Sequence, residues 1–225
     1  ISYENLQKKN NDRYEYILPY YYYSTNLSND FFGGTLNLFS NGSNNYNNTN
    51  QLKTNITNDI NFVSKNFING LGLDSNFTID LKNLNSLGKN HSNYKSSPQV
   101  ELMSLFSFNS NLPLQKKDLN YNNYLSPKIS LKINPGDMKN YSNEDKIINT
   151  DNIFNNNRLG ISDSLESGRS LTLGIDYRKE KLNDINKFFE IEVATVLRDK
   201  EENFIPKKTT LNRKQSNIFG SAKSN

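Results

Sequence analysis

Apolar and polar residues alternate one by one along several stretches of this chain. The clearest stretch runs from Leu71 to Lys82. Its apolar face consists of Leu71, Leu73, Phe77, Ile79 and Leu81, and its polar face of Asp74, Asn76, Thr78 and Asp80. Successive side chains of a β-strand point to opposite faces, so this period predicts strands with one apolar face. The same alternation runs through 128–133, 170–177 and 189–197, and no segment keeps a helical period.

Weaker strand patterns occupy five further segments, which are 13–23, 31–41, 52–63, 98–109 and 213–220. Together they predict an all-β chain of about nine antiparallel strands in up-and-down order. Pro19 lacks a backbone N–H and predicts a bend or a strand end. The connections are short at 65–70 and 182–187, and long and polar at 42–50, 83–97, 112–124 and 134–168. Short turns at one rim and long loops at the other are typical of outer-membrane barrels.

Alternation alone fits a soluble β-sandwich as well as a transmembrane barrel, because one face is buried in both. Aromatic residues at predicted strand ends fit the interfacial girdles of a barrel; they are Tyr20–Tyr23, Phe31, Phe32, Phe188 and Phe189. A soluble core would use the same rings. The predicted strands exceed the roughly 5–6 residues typical of soluble domains. The residues therefore favour a membrane barrel and leave a secreted soluble β-protein open.

Composition narrows the function classes. The net charge is +4 without a Lys/Arg block, which gives little support to nucleic-acid binding. The chain has no cysteine, so it offers neither a disulfide framework nor a thiolate metal site. No apolar run approaches the roughly 18 residues of a membrane helix. Asparagine is the most frequent residue, and both an AT-rich genome and a functional role account for it. Because the chain begins at Ile1 and ends in a polar segment, we interpret it as an internal piece.

Catalytic and metal-binding patterns are weak. The only histidine, His91, lies in a polar loop without the rigid scaffold that a catalytic triad needs. Gly33 and Gly34 precede a predicted strand, not the helix of a phosphate-binding loop. Asp145 and Asp151 could contact a hard cation, but solvated loop charge is the preferred interpretation. We expect no enzyme, no cofactor and no metal site.

Seven short elements carry a family resemblance by their order along the chain. They are Leu18-Pro19 before an aromatic strand, Leu125-Ser126-Pro127, Asn143-Glu144-Asp145, Asp151-Asn152-Ile153-Phe154, Asn157-Arg158-Leu159-Gly160, the segment 163–168 and the segment 211–220. This set resembles the LptD (OstA) family of outer-membrane lipopolysaccharide-assembly proteins. Two positions depart from the family pattern: Ser164 stands where Arg is usual, and Leu159 where an aromatic residue is usual.

The resemblance implies that residues 1–225 are part of one large transmembrane barrel domain, without its periplasmic jelly-roll domain and barrel-closing terminal strands. It implies a place in the cell outer membrane and a role in lipopolysaccharide transport. The implied partners are lipopolysaccharide, outer-membrane lipid, a plug lipoprotein like LptE, and a periplasmic bridge through the absent N-terminal domain. A porin, a receptor barrel and an Asn-rich surface adhesin remain alternatives.

The family elements supply the candidate site residues, which are Asn143, Glu144, Asp145, Asp151, Asn157, Arg158, Asp163, Glu166, Gly168 and Arg169. Most of them lie in the loop from Asn134 to Gly168, and structureless loops of this length are uncommon unless functional or disordered. Its apolar residues, Ile147, Ile148, Ile153, Phe154 and Leu159, predict partial order. We expect the loop to fold over or into the barrel mouth, with Arg158 paired to a loop carboxylate. The alternative is a solvated extracellular loop.

Overall fold

The computed structural model describes residues 2–4, 14–47, 50–91 and 94–225, the first range by its backbone alone. In these ranges the regular secondary structure is β-strand, apart from one short 3-10 turn at Lys207–Thr209. The strands are β1 Ser2–Glu4, β2 Tyr14–Phe31, β3 Gly34–Asn47, β4 Gln51–Ser64, β5 Phe67–Ile68, β6 Asp74–Lys89, β7 Gln99–Asn111, β8 Leu114–Lys117, β9 Tyr121–Asn134, β10 Gly168–Lys181, β11 Asp184–Arg198 and β12 Phe219–Ser224. Within the same ranges, no helix has the length and apolar character to cross a membrane.

All described strands belong to one antiparallel sheet, in the order β1-β2-β3-β4-β6-β7-β9-β10-β11-β12. The short strands β5 and β8 pair with β6 and β9 beside this path. Neighbours in the sequence are therefore neighbours in the sheet, which confirms the all-β, up-and-down prediction. The nine longer strands correspond to the nine predicted segments.

Several predicted boundaries are wrong. β6 begins at Asp74 and continues to Lys89, so Leu71 and Leu73 precede it and the predicted loop at 83–97 begins too early. β3 likewise continues through Gly42 to Asn47, and β8 and the start of β9 occupy the predicted loop at 112–124. Pro19 lies inside β2, where the register with β3 shifts between Ile17 and Tyr20. Arg13, 48–49 and 92–93 lie outside the described residues.

The last predicted strand, 213–220, is also misplaced, since β12 begins only at Phe219. Before it, the chain follows β11 irregularly. The backbone N–H of Val196 donates to the Ser216 hydroxyl oxygen at 2.9 Å, and Leu197 forms an isolated bridge with Gln215. The Ser216 hydroxyl thus accepts a hydrogen bond from β11 that a backbone carbonyl would accept in a regular strand pair.

The chain forms two compact units, residues 1–62 with 80–104, and residues 63–79 with 105–225. In unit 1, asparagine side chains connect neighbouring strands in rows. Asn26 donates to Asn37 at 3.1 Å, Asn37 to Asn61 at 3.3 Å, and Asn61 to Asp80 at 2.7 Å. An amide both donates and accepts, so each member can bond to the next strand on either side. Much of the asparagine in this unit therefore has a structural role.

Unit 2 contains the regular part of the sheet, and its two faces differ. On one face, which we call the polar face, Ser130 lies beside Thr172 and Thr172 beside Val196, while Lys132 lies beside Ser170 and Ser170 beside Arg198. The opposite, apolar face carries Ile129, Leu131, Leu171, Leu173, Ile175 and Val193. Leu173 and Ile175 are 39% and 42% exposed. The alternation of β9, β10 and β11 thus separates the two faces as predicted.

Both long connections of unit 2 leave the same end of the sheet. Loop 1, residues 135–167, joins β9 to β10, and loop 2, residues 199–218, joins β11 to β12. The start of β10 lies beside the ends of β9 and β11, because Gly168 pairs with Asn134 and Ser170 with Arg198. At the opposite end, β10 and β11 are joined by only two residues, Leu182 and Asn183. Short and long connections thus lie at opposite ends of these strands, as predicted.

Candidate functional site

The two long loops pack together on the polar face of unit 2. Their shared core contains Met138, Tyr141, Ile148, Ile153, Leu159 and Ile161 of loop 1, Ile205 and Leu211 of loop 2, and Ala194 and Val196 of β11. Ile153, Ile205 and Leu211 are completely buried. The predicted anchors Ile148, Ile153 and Leu159 are confirmed and Phe154 packs against this core, whereas Ile147 is 82% exposed. Loop 1 is therefore an ordered layer on the sheet, not a solvated tether.

A buried ion cluster lies beneath this layer and consists of Arg158, Glu166 and Arg198. The side chains of both arginines are 0% exposed and that of Glu166 is 5% exposed. Arg158 donates through Nε to Glu166 Oε2 at 2.7 Å and through Nη2 to Oε1 at 2.5 Å. Arg198 Nη2 also donates to Oε1. This confirms the expectation that Arg158 pairs with a loop carboxylate.

The remaining partners of the Arg158 guanidinium are two hydroxyls of the sheet and the Ile153 carbonyl of loop 1, which accepts from Nη1 at 3.4 Å. Nη1 donates to Thr172 Oγ1 at 2.9 Å, and Nη2 donates to Ser170 Oγ at 3.0 Å. Arg198 Nη1 donates to the Ser167 carbonyl at 2.9 Å. Ser170 and Thr172 are two positions apart in β10, so both hydroxyls point to the polar face, where loop 1 places its arginine. The cluster thus links loop 1 to β10 and β11.

The two guanidinium groups determine the charge state of Glu166. Burial disfavours a carboxylate and by itself raises the pKa, but Arg158 and Arg198 outweigh it and lower the pKa of Glu166 from 4.5 to about 2. Glu166 therefore stays ionised throughout the physiological range. The three groups sum to one positive charge, and Lys132, also buried on the polar face, contributes a further favourable interaction with Glu166.

Further hydrogen bonds fix loop 1 on the sheet. Lys132 Nζ donates to the Asn155 carbonyl, and Asn134 Nδ2 donates to the Glu166 carbonyl at 3.1 Å. Within the loop, the Tyr141 hydroxyl donates to Asp163. Burial and this carboxylate both raise the pKa of Tyr141, so its hydroxyl remains a donor. Two side chains near the end of β9 thus hold loop 1 at Asn155 and at Glu166.

Gly168 is required at the junction of loop 1 and β10. Its φ is +78°, and a Cβ added there would lie 2.4 Å from Glu202 Oε1 of loop 2. Glu202 also accepts a hydrogen bond from the Ser167 hydroxyl at 3.2 Å. A side chain at position 168 would therefore be strained and would displace a carboxylate that ties the two loops together.

The structure separates the ten candidate residues into two groups. Arg158, Asp163 and Glu166 are buried with polar partners, Gly168 forms the loop junction, and Asn157 closes a turn by bonding both the N–H and the carbonyl of Ile161. Asn157 is itself exposed, as are Asn143, Glu144, Asp145, Asp151 and Arg169. Asp145 pairs with Lys208 of loop 2 at 2.6 Å, and Arg169 Nε lies 4.0 Å from Asp199.

Sequence reasoning missed Arg198, Lys132, Ser170 and Thr172 as members of the site. One signal for their position exists. Along the polar face of β11, Glu190 and Glu192 are followed by Ala194 and Val196, so the face becomes apolar toward the end where the loops begin. A change of this kind indicates that something covers the strand there, and Arg198 follows it at the next position on that face.

The carboxylate, the two guanidinium groups and the two hydroxyls of the cluster bond to one another, and these bonds fix loop 1 on the sheet. Among the described residues, no group of three or more His, Asp or Glu side chains is placed to hold a metal ion. His91 packs edge-on against Tyr94, with ring centroids 4.9 Å apart.

A scan against models of protein families finds no match for this chain, and no curated protein matches it.

Proposed function

We propose that this chain forms part of the wall of an outer-membrane β-barrel that assembles lipopolysaccharide into the outer leaflet. The observation that carries the proposal is that the two faces of unit 2 differ in what covers them. Its polar face is covered by two ordered loops from one end, while partly exposed apolar side chains line the other face. Soluble monomers rarely expose large apolar patches, whereas a bilayer is the natural solvent for such a face.

The order of elements that resembles the LptD family supports lipopolysaccharide as the cargo. Two of these elements contribute residues to the loop-covered site: Arg158 of one and Glu166 of the other form the buried pair, and Gly168 of the second forms the junction that follows. In the proposed assembly, the partners are lipopolysaccharide, outer-membrane lipid, a plug lipoprotein like LptE, and a periplasmic bridge through a domain outside this chain.

Depletion of the gene in its own host tests the cargo. We expect newly made lipopolysaccharide to accumulate inside the outer membrane and to be lost from the cell surface, measured by surface labelling of intact cells and by membrane fractionation. Normal surface delivery after depletion would overturn the proposal. If delivery is normal after depletion, solute flux through vesicles that hold the full protein would indicate a porin. Release of the protein into the medium would instead indicate an adhesin.

Variants of the loop cluster test whether the covered face matters to the assembled protein. We expect Glu166→Gln in the full protein to reduce assembly and to make cells sensitive to large antibiotics, because loop 1 loses its central ion pair. Asp145→Asn is the matched control, as it removes a carboxylate from the exposed pair with Lys208. Equal behaviour of the two strains would show that loop 1 plays no part in sealing the barrel.

A further inference from the structure

The apolar face of unit 2 changes in character toward the end where a two-residue turn joins β10 to β11. Side chains two positions apart in a strand share a face. The residues that β10 contributes to this face are, in order, Leu171, Leu173, Ile175, Tyr177, Lys179 and Lys181. In the neighbouring strands, Lys179 lies beside Asn123 of β9 and Phe189 of β11. The face therefore passes from aliphatic through aromatic to lysine side chains.

The polar ends of these side chains meet near the turn. The Tyr177 hydroxyl donates to Asn123 Oδ1 at 3.0 Å, which lies one row closer to the turn. Lys179 Nζ lies 4.3 Å from the centroid of the Tyr121 ring, and Lys181 pairs with Tyr121 across the sheet. Tyrosine rings and lysine stems pack on apolar surface while their polar ends stay in water. We call Tyr121, Tyr177, Lys179 and Lys181 the lysine band.

The lysine band carries positive charge that no carboxylate balances. In the described part of the chain, neither Lys179 nor Lys181 lies in an ion pair. Two other lysines near this end do have carboxylate partners, at 3.6 Å for Lys116 with Asp118 and at 3.7 Å for Lys187 with Asp184. Lys181 and Tyr121 are exposed and Lys179 is half-buried. An anionic group at the surface can therefore reach both ammonium groups.

The spacing of charge along β10 matches the thickness of a bilayer. At its other end the apolar face carries Arg169, whose Nε lies 4.0 Å from Asp199. At about 3.3 Å per residue, Arg169 and Lys179 are roughly 33 Å apart along the strand. At a barrel tilt of about 40° this becomes roughly 25 Å across the membrane, which is the height of the apolar band of such barrels. The lysine band then lies at one bilayer surface.

We propose that the lysine band binds the phosphate headgroups of anionic phospholipids. Lys179 and Lys181 supply the charge, the two tyrosines lie at the level of the headgroups, and the acyl chains lie along the aliphatic part of the face. The inference rests on the membrane-barrel part of the proposed function. Short turns of outer-membrane barrels face the periplasm, and the periplasmic leaflet consists of phospholipids. The occupant is therefore a phospholipid and not lipopolysaccharide.

The test uses the full protein in phosphatidylcholine vesicles and a small fraction of phosphatidylglycerol with a photoreactive headgroup. Phosphatidylcholine with the same reactive group is the reference probe. Mass spectrometry measures labelling of the peptides that contain Tyr121 or Tyr177. We expect phosphatidylglycerol to label them more than phosphatidylcholine does. Lys179→Gln/Lys181→Gln should lower labelling by phosphatidylglycerol about fivefold, corresponding to about 1 kcal/mol, and leave the reference unchanged.

A double variant that removes the same charge elsewhere is the control. Lys208→Gln/Lys223→Gln removes one lysine of loop 2 and one that lies beside Glu190 on the polar face, and labelling should stay as in the parent. Protease protection of loop 1 checks the folding of both variants. The proposal is overturned if both probes label the parent equally, if the lysine-band variant is labelled like the parent, or if the control loses as much labelling.

Competition identifies the lipid. Unlabelled phosphatidylglycerol should displace the probe, whereas displacement by lipopolysaccharide at the same concentration would overturn the assignment to phospholipid. If depletion leaves surface lipopolysaccharide normal while labelling still depends on the two lysines, only the transport role of the proposed function fails. If delivery requires the protein but labelling does not depend on the lysines, only the lysine band is overturned.

Discussion

At the scale of single residues, the buried cluster joins three charges whose environment leaves each dependent on the others. Neither arginine side chain reaches solvent, and in the part of the chain that the structure describes Glu166 is the only carboxylate that bonds to both. Removing one member of a buried ionic group exposes the desolvation cost of those that remain, which is much larger than the worth of an exposed pair. Glu166 is therefore the most sensitive of the ten candidate residues.

Substitution of Glu166 by Gln tests this dependence. The amide keeps the side-chain shape but leaves two buried guanidinium groups without a counter-charge, so we expect the free energy of unfolding to fall by about 3–5 kcal/mol. Asp145→Asn, in the exposed pair with Lys208, is expected to cost roughly 0–1 kcal/mol. Urea titration of the full protein in detergent micelles measures both values. Similar costs for the two variants would contradict the buried cluster.

The same carboxylate predicts an acid dependence. Its pKa is lowered in the folded protein from 4.5 to about 2, so its contribution to stability is complete above pH 4.5 and is lost as the pH falls toward 2. A shift of this size corresponds to about 3 kcal/mol. We expect the protease resistance of loop 1 in the parent protein to decline over that window. In Glu166→Gln this decline should be absent or much smaller; an identical profile would show that other groups cause it.

Gly168 and Gly160 form a matched pair for the loop junction. Both have positive φ, at +78° and +61°, but only Gly168 has a carboxylate within reach of an added Cβ. The left-handed conformation costs an alanine about 1–2 kcal/mol at either position. We expect Gly168→Ala to lower the free energy of unfolding more than Gly160→Ala, because it also displaces Glu202 from Ser167. Equal losses would mean that Glu202 moves aside freely.

Sequence reasoning reached part of this site. The apolar residues Ile148, Ile153 and Leu159 and the surrounding charges were enough to predict an ordered loop with a paired Arg158. The burial of Arg198 could not be predicted, because the sequence around an arginine at the end of a strand is the same whether its side chain is solvated or covered. Its side chain bonds to loop 1, where Glu166 and the Ser167 carbonyl accept its hydrogen bonds, and the strand pattern of β11 does not indicate which loop reaches it.

At the scale of strands, alternation predicted β10 and β11 well because their apolar face is uniform. It failed beyond Lys82, where both faces of β6 carry polar groups. Asn58 donates to Asn83 at 3.3 Å and receives a bond from Ser40 at 2.7 Å, on the face opposite to the Asn61–Asp80 bond. Leu84, at the next position, is completely buried. A strand that is stabilised by asparagine hydrogen bonds to its neighbours needs no apolar face, so apolar–polar alternation does not predict it.

Cysteine labelling tests the two faces of unit 2. This chain has no cysteine of its own, so each introduced thiol is the only one it offers. In vesicles holding the full protein, we expect Leu173→Cys to react with a lipid-soluble maleimide and to resist a water-soluble one. Glu192→Cys, on the polar face of β11, should show the opposite preference. Equal labelling of both positions by the water-soluble reagent would argue that the apolar face does not meet lipid.

At the scale of the whole molecule, the apolar side chains that remain exposed predict poor solubility in water. Ile68, Val100 and Leu102 are 72%, 74% and 79% exposed, and many aromatic residues of β2 are exposed as well. Residues 1–225 expressed alone should aggregate without detergent and regain β-structure in micelles, measured by sedimentation and circular dichroism. A soluble monomer with a cooperative melt would count strongly against a membrane barrel.

The loop-covered core also has a consequence for the order in which the protein is made. Arg158 and Glu166 leave the ribosome before Arg198, Ile205 and Leu211, yet loop 1 is buried only when all of them are in place. Until β11 and loop 2 have arrived, loop 1 has neither its second arginine nor its apolar cover. A chain truncated before Arg198 is therefore expected to leave loop 1 open to proteases, and a chain that extends through Leu211 is expected to protect it.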